Sequence, residues 1–188
     1  MIMKKLFVVL LAMCTMTALQ AQKIKGDASC LKGQKEVNVQ FIYKGVTYGG
    51  DSEDKYLKDE DKAKEPEWKK AWTSTFRTEK WEPRLVEDLN KELAKTGMKC
   101  GDFPKAEYTV LVKFTDIYPG TFAGPMSVPA RITCVVSFVK TGSTDAFATL
   151  NLYNIAYKYF MSPMPEQRVG EAMSCVGEVI GKQMSKIK

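Results

Sequence analysis

Residues 108–114, Tyr-Thr-Val-Leu-Val-Lys-Phe, and residues 132–138, Ile-Thr-Cys-Val-Val-Ser-Phe, alternate apolar side chains with a period of two. That period is typical of strands that bury one face. A polar loop at 140–145 predicts a hairpin to a third strand at 147–159. The apolar phase of this third strand shifts between Leu152 and Ile155, which predicts a β-bulge near Asn154. The stretch 108–160 is therefore predicted to form an antiparallel meander around which the rest of the chain packs.

Two helices are predicted between a first strand at 35–48 and this meander. The first follows Pro66 and carries an aromatic stripe, and the second runs from Pro83 to Gly97 with a leucine every fourth residue. Because these helices form the crossover, the first strand and the strand from Tyr108 are expected to be parallel. The stripe consists of Trp68, Trp72 and Phe76. A core position is favoured for it, and stacking on sugar rings is the alternative.

A last helix is predicted from about Pro165 to Ile187, since its apolar residues share one arc of the helical wheel. Gly170, Gly177 and Gly181 lie beside that arc and predict close approach of another backbone, from the crossover helix or the sheet. The predicted fold class is therefore α+β. Its architecture is a two-layer sandwich with a four-stranded mixed sheet, chain order β-α-α-β-β-β-α and helices on one face.

Charged residues dominate the segment 51–65, which is predicted to be a solvated, mobile insertion. Asp51, Glu53 and Asp54 suggest calcium as an alternative. Tyr56 and Lys62, however, stand where an EF-hand needs its glycine and its bidentate glutamate. No metal site is expected.

The first 21 residues are typical of a signal peptide. Lys4 and Lys5 precede a short apolar run at 6–13, and small and polar residues follow up to Ala21. Lipid attachment at Cys14 is disfavoured, because Met13 stands where a lipoprotein signal has a small residue. The remainder, 22–188, is expected to be one domain that is exported to the periplasm, the outer membrane or the cell exterior without spanning a membrane.

Export permits disulfides among the four cysteines that follow the signal peptide. These are Cys30, Cys100, Cys134 and Cys175. Three pairings are open, and four unpaired small hydrophobic residues are the alternative. Topology favours Cys30 with Cys100, because each precedes a predicted parallel strand.

The sequence lacks the residues that several common catalytic and binding sites require. The chain has no histidine, which excludes Ser-His-Asp and Cys-His nucleophiles and histidine-containing metal sites. No phosphate-binding glycine motif is present, and no cofactor is expected. Without the signal peptide 26 basic residues face 22 acidic ones, and the two signs are interleaved, which disfavours nucleic acid as a partner. We expect a protein that is not an enzyme; a histidine-independent hydrolase is the least favoured function.

Two apolar, methionine-bearing connections are predicted at the same end of the sheet as the Gly49–Gly50 turn. They are the loop 118–129 and the segment 160–165. Their candidate binding residues are Phe122, Met126, Phe160, Met161 and Met164. A partner protein or a small apolar ligand is the expected occupant. The alternative is that the two connections pack together and cover the core.

The signal peptide that ends in Ala-Leu-Gln-Ala-Gln and the following Lys25-Gly-Asp-Ala-Ser-Cys-Leu-Lys-Gly33 precede a strand with alternating valines. These features resemble small exported proteins of unknown function from Gram-negative gut anaerobes. The resemblance implies export and a compact α+β domain, and it carries over no functional residue. The expected function is an exported, non-catalytic binding or assembly module of the periplasm or outer membrane. A carrier of a small apolar ligand between helices and sheet is the alternative.

Overall fold

The computed structural model describes residues 22–60, 65–157 and 162–187. The strands are β1 (Lys25–Gly26), β2 (Glu36–Ile42), β3 (Thr47–Tyr48), β4 (Asp51–Ser52), β5 (Lys99–Gly101), β6 (Tyr108–Tyr118), β7 (Arg131–Lys140) and β8 (Ala146–Ala156). The α-helices are α1 (Glu53–Asp59), α2 (Pro66–Thr73), α3 (Glu82–Leu93) and α4 (Pro165–Met184). A π-helical turn, Arg77–Trp81, leads directly into α3. The predicted signal peptide, and with it Ala21, lies outside the described residues.

All eight described strands belong to one mixed sheet with the order β1-β8-β7-β6-β2-β5, and the β3–β4 hairpin is attached beside β6. The predicted α+β class is confirmed, as are the antiparallel meander β6-β7-β8 and the parallel pairing of β2 with β6. The predicted four-stranded sheet is wrong. Four strands of two or three residues, β1, β3, β4 and β5, extend it, and each is too short to show a period of two.

The bulge predicted near Asn154 is confirmed. Cys134 pairs with Leu152 and Ile132 pairs with Ile155, so β8 has one residue more than β7 between these pairs. Asn154 adopts a left-handed backbone with a φ of 51°, and its N–H donates to the hydroxyl of Thr133 over 3.2 Å. Asparagine tolerates this conformation better than most residues with a side chain.

The core lies on one face of the sheet. In β6, Val110, Val112 and Phe114 are fully buried, whereas Lys113 between them is exposed. Helix α4 packs over β7 and β8 and makes its most extensive contact with α3. Leu85, the first leucine of the predicted repeat in α3, is buried in this contact. The alternation in the sequence therefore identified the inner face correctly.

The predicted close approach of another backbone is confirmed at Gly177 and Gly181, and the crossover helix α3 is the partner. At Gly170 the prediction is wrong, because a Cβ there would meet only the side chains of Arg84 and Trp81. A Cβ on Gly177 would lie 2.0 Å from the carbonyl oxygen of Leu85, and one on Gly181 would lie 2.6 Å from that of Leu89. The hydroxyl of Ser174 donates to the carboxylate of Asp88 in the same contact. The glycines therefore set how near the two helix axes come.

Trp72 is the centre of an aromatic cluster between α1, α2 and the π-helical turn. Its ring centroid lies 5.0 to 6.5 Å from those of Tyr48, Tyr56, Trp68, Phe76 and Trp81. Trp68 and Trp72 are both buried, so the aromatic stripe belongs to the core and the sugar-stacking alternative is wrong.

The charged segment is not a solvated insertion over residues 51–60, because it forms β4 and α1. The hydroxyl of Ser52 accepts a hydrogen bond from the N–H of Lys55 and so caps α1. Tyr56 packs on Trp72, and Leu57 is buried. Two adjacent apolar residues are enough to anchor one turn of an otherwise charged helix. In the described ranges no three His, Cys, Asp or Glu side chains are placed to hold a metal ion.

Candidate functional site

The β6–β7 loop is a small, internally bonded hairpin. Thr121 and Val128 exchange two backbone hydrogen bonds, of 2.9 and 3.0 Å. A 3-10 turn, Gly124–Met126, forms the tip, and the hydroxyl of Ser127 both accepts from the N–H of Ala123 and donates to the carbonyl of Gly124. The loop therefore holds its shape through its own hydrogen bonds.

Gly120 is required where this loop leaves β6. Its φ is 73°, and a Cβ at this position would lie 2.4 Å from the carbonyl oxygen of Val128. Both the left-handed backbone and the lack of space exclude a larger residue. The two arms of the loop consequently cross in direct backbone contact.

Arg168, in the first turns of α4, connects this loop to the segment before the helix. Its guanidinium donates to the carbonyl oxygens of Pro119 at 2.8 Å, Gly120 at 3.0 Å and Ser162 at 2.5 Å. The side chain is buried. Desolvation by burial lowers the pKa of its guanidinium. A single buried cation therefore fastens both connections to the start of α4.

The segment before α4 is ordered by its own polar contacts. The hydroxyl of Ser162 donates to the side-chain carbonyl of Gln167 over 2.7 Å and accepts from the N–H of Met164 over 3.1 Å. One turn further inside, the indole of Trp81 donates to the carbonyl oxygen of Glu166 over 2.9 Å. These contacts fix where Met164, the N-cap residue of α4, presents its side chain.

The third connection at this end is the Gly49–Gly50 turn between β3 and β4. The carboxylate of Asp116 in β6 accepts from the hydroxyl of Thr47 at 2.5 Å and from the N–H of Gly50 at 3.0 Å. The three connections that the sequence placed at one end of the sheet therefore do lie together there.

Phe122, Met126 and Met164 are exposed to 51%, 79% and 41% respectively. We refer to these three side chains as the apolar loop surface. They are not buried against one another, in contrast to the alternative in which the connections cover the core. Phe160 and Met161 lie outside the described residues. Binding by the five candidate residues stays a prediction.

Arg168 and Ser162, which position the apolar loop surface, were not predicted from the sequence. Pro165 predicted where α4 starts. A cation near the start of a helix is unfavourable because it meets the positive end of the helix dipole. An arginine at this position is therefore a signal that its charge is used elsewhere. Nothing in the sequence identified the distant carbonyl oxygens that accept its hydrogen bonds.

A second polar cluster surrounds Arg77. Its guanidinium pairs with Glu53, donates to the hydroxyl of Tyr48 over 3.0 Å and lies 4.2 Å from the centre of the Tyr43 ring. Burial raises the pKa of the Tyr43 and Tyr48 hydroxyls above their usual range. The cluster holds α1 against the π-helical turn, and its charge is compensated by Glu53.

Two carboxylates, Glu82 and Asp102, flank an open hollow of about 350 Å³ over Phe41 and Val86. Burial raises the pKa of Glu82, although Tyr43 and Arg77 oppose that shift. General acid–base hydrolysis needs two carboxyl groups with different roles.

The interface between helices and sheet is filled. Trp72, Trp81, Phe114 and Phe138 are among its fully buried side chains. Two hollows among the described residues, of about 610 and 450 Å³, open at the surface beside β8 and β1. The 610 Å³ hollow lies between β8 and α4, at the rim of the helix–sheet interface. Ligand binding of the kind that the carrier alternative expects stays a prediction.

All four cysteines of the described chain carry free thiols. Cys30 lies in a 3-10 turn, Ser29–Leu31, and Cys100 lies within β5 rather than ahead of a strand. Cys134 lies in β7 and Cys175 in α4. Burial raises the pKa of the Cys100 and Cys134 thiols to about 12. The structure thus contains none of the possible disulfides among the described residues.

No helix within the described ranges is long and apolar enough to cross a membrane. Comparison of the chain with protein families, with curated proteins and with solved structures gives no significant match.

Proposed function

We propose that this chain is an exported, non-catalytic binding or assembly module of the periplasm or outer membrane. It engages a partner protein through the apolar loop surface. The observation that carries the proposal is the exposure of Phe122 and Met126 on a loop that Arg168 fastens to α4.

The hydrogen bonds that hold the loop in place lower the free-energy cost of binding a partner. Association costs free energy for every side chain and loop that it orders, so a loop already held by its own hydrogen bonds loses less on binding. Methionine adapts its shape to an uneven partner surface, and an aromatic ring adds contact area. The loop therefore combines a fixed backbone with adaptable side chains.

The test is native mass spectrometry of the protein purified from its own cell envelope, comparing the natural chain with the double variant Phe122→Ser and Met126→Ser. We expect the natural chain to retain a bound protein and the double variant to lose it, with an unchanged melting temperature. Tyr153→Ser is the matched control, because Tyr153 is also an exposed aromatic residue but lies in β8 outside the loop. Unchanged association in the double variant refutes the proposal. A sharply lower melting temperature refutes it too, because the side chains would then be structural.

A further inference from the structure

A hollow of about 270 Å³ lies where the first turns of α3 and α4 meet beside the π-helical turn. We call it the α3–α4 hollow. Its lining includes Glu166 and Gly170 from α4 and Arg84 from α3. Helical turns of the π type are rare and are often found at functional sites. The hollow does not include any side chain of the apolar loop surface.

Glu166 places a buried negative charge in this hollow, since the residue is only 8% exposed. Its Oε2 accepts one hydrogen bond, from the indole of Trp68 at 3.4 Å, which is long for an N–H donor. Within the described part of the chain Oε1 accepts none, and no lysine or arginine forms an ion pair with the carboxylate. A carboxylate can accept about four hydrogen bonds, and buried charges are normally paired. Glu166 therefore retains capacity for a further donor.

The neighbouring cations do not supply that donor. Arg84 pairs with Glu171 over 2.6 Å, and the ammonium of Lys80 lies 4.8 Å from the centre of the Phe76 ring. Arg168 attracts the buried carboxylate through space, but its guanidinium donates to backbone carbonyl oxygens. The lining of the hollow has three carboxylates and two cations, a net charge of −1. This charge favours a ligand that carries one positive charge.

Gly170 keeps the hollow open. The three atoms nearest to its missing Cβ all belong to side chains, so the packing of α4 on another backbone does not require glycine here. A Cβ at this position would lie 3.2 Å from a guanidinium nitrogen of Arg84 and 3.7 Å from the ring of Trp81. Glycine inside a helix costs about 1 kcal/mol relative to alanine. The space that it leaves beside a buried carboxylate gives this glycine a role.

We propose that the α3–α4 hollow binds the ammonium group of a primary amine, with the carboxylate of Glu166 as its acceptor. An ammonium group carries three donors and one positive charge, so it can bond to the free oxygen and neutralise the hollow. The hollow is smaller than the usual site of a drug-sized ligand, so the amine has a short chain. Two sources offer this chemistry: a free amine, and a lysine side chain of another protein. The proposal does not rest on the proposed function.

The test is a titration of the protein with butylamine, followed by the backbone amide signals in NMR spectra. 1-Butanol is the uncharged probe of similar size. We expect saturable shifts in the first turns of α3 and α4, and at least tenfold weaker binding of 1-butanol. Nα-acetyl-lysine N-methylamide distinguishes the two sources. Binding as tight as that of butylamine, or tighter, assigns the hollow to a lysine side chain, and much weaker binding assigns it to a free amine.

Two variants test the site from different sides. Glu166→Gln keeps an oxygen for the indole of Trp68 but removes the charge, and we expect it to weaken butylamine binding about tenfold or more. Gly170→Ala narrows the hollow and should also weaken binding about tenfold, without lowering the melting temperature. Glu36→Gln is the matched control, because it removes the charge of an exposed glutamate at the start of β2. Phe122→Ser should leave butylamine binding unchanged, which separates this proposal from the proposed function.

Equal binding of butylamine and 1-butanol overturns the proposal, because the carboxylate would then contribute nothing. Unchanged butylamine binding in Glu166→Gln overturns it too, as does the absence of saturable shifts in the first turns of α3 and α4. If Glu166→Gln lowers the melting temperature, Gly170→Ala decides alone, and a stable Gly170→Ala variant that binds butylamine as tightly as the natural chain overturns the proposal.

Discussion

Replacing Gly177 by alanine should destabilise the protein, although alanine is the better helix former. The new Cβ would lie 2.0 Å from the carbonyl oxygen of Leu85, and real Cβ contacts are essentially never shorter than 3.0 Å. Because the neighbour is backbone, no side-chain rotation relieves the contact. Helix α4 must therefore move away from α3 by about 1 Å.

The magnitude follows from two opposed effects. Inserting a methyl group into a packed interface costs about 1–3 kcal/mol, and the backbone contact at Gly177 places this case near the upper end. Replacing glycine by alanine within a helix returns about 1 kcal/mol. The net loss in the free energy of unfolding is therefore about 2 kcal/mol, which corresponds to a fall of about 4–8 °C in melting temperature for a domain of this size.

The assay is urea unfolding followed by tryptophan fluorescence, with Gly170→Ala as the matched control on the same helix. There the nearest atom to the new Cβ is the guanidinium nitrogen of Arg84 at 3.2 Å, the far end of a half-exposed, flexible side chain. Gly170→Ala should be as stable as the natural chain or up to about 1 kcal/mol more stable. A Gly177→Ala variant that equals or exceeds the natural chain in stability would refute this account of the helix contact.

Three further predictions concern other parts of the molecule. Arg168→Met removes the hydrogen-bond donors of buried backbone carbonyls, so it should lower the free energy of unfolding by about 1–3 kcal/mol. It should also speed amide hydrogen exchange in the loop 118–129. Unchanged exchange would show that the loop keeps its shape without Arg168. Residue 154 has a left-handed backbone, so Asn154→Val should lower the free energy of unfolding in urea by about 1–2 kcal/mol, whereas Asn154→Gly should lower it little. Equal losses in the two variants would contradict this explanation. The thiols of Cys100 and Cys134 keep their protons up to a pKa of about 12 when folded, against an ordinary value of 9.0. The unfolded state then binds fewer protons above pH 9, so the free energy of unfolding should fall by about 1.4 kcal/mol per pH unit for each thiol, and Cys134→Ala should flatten that dependence.

The parts of the fold that the sequence predicted are those whose periodicity spans several turns or strand residues. The alternation through β6 and β7 gave the meander and its buried face, and the leucine repeat gave α3. Even the bulge was predictable, because one extra residue changes the apolar phase at Leu152 and Ile155. Periodicity is informative when an element is long enough to repeat its pattern.

The parts that were missed are short or depend on distant partners. β1 has two residues, Lys25 and Gly26, and neither is apolar enough to mark a strand. α1 was hidden by its charges, because Tyr56 and Leu57 alone anchor it. The role of Arg168 depends on carbonyl oxygens from a loop 48 residues away, which local sequence does not encode.

The parallel pairing of β2 with β6 has a consequence for folding order. Asn38 and Thr109, which pair across it, are 71 residues apart, whereas β6, β7 and β8 are joined by hairpins. Closing the longer loop costs more chain entropy, so we expect the meander to form first and β2 to dock only after α2 and α3 have formed. Until then the edge of β6 is unprotected, and a newly synthesised chain is most prone to aggregate in that interval.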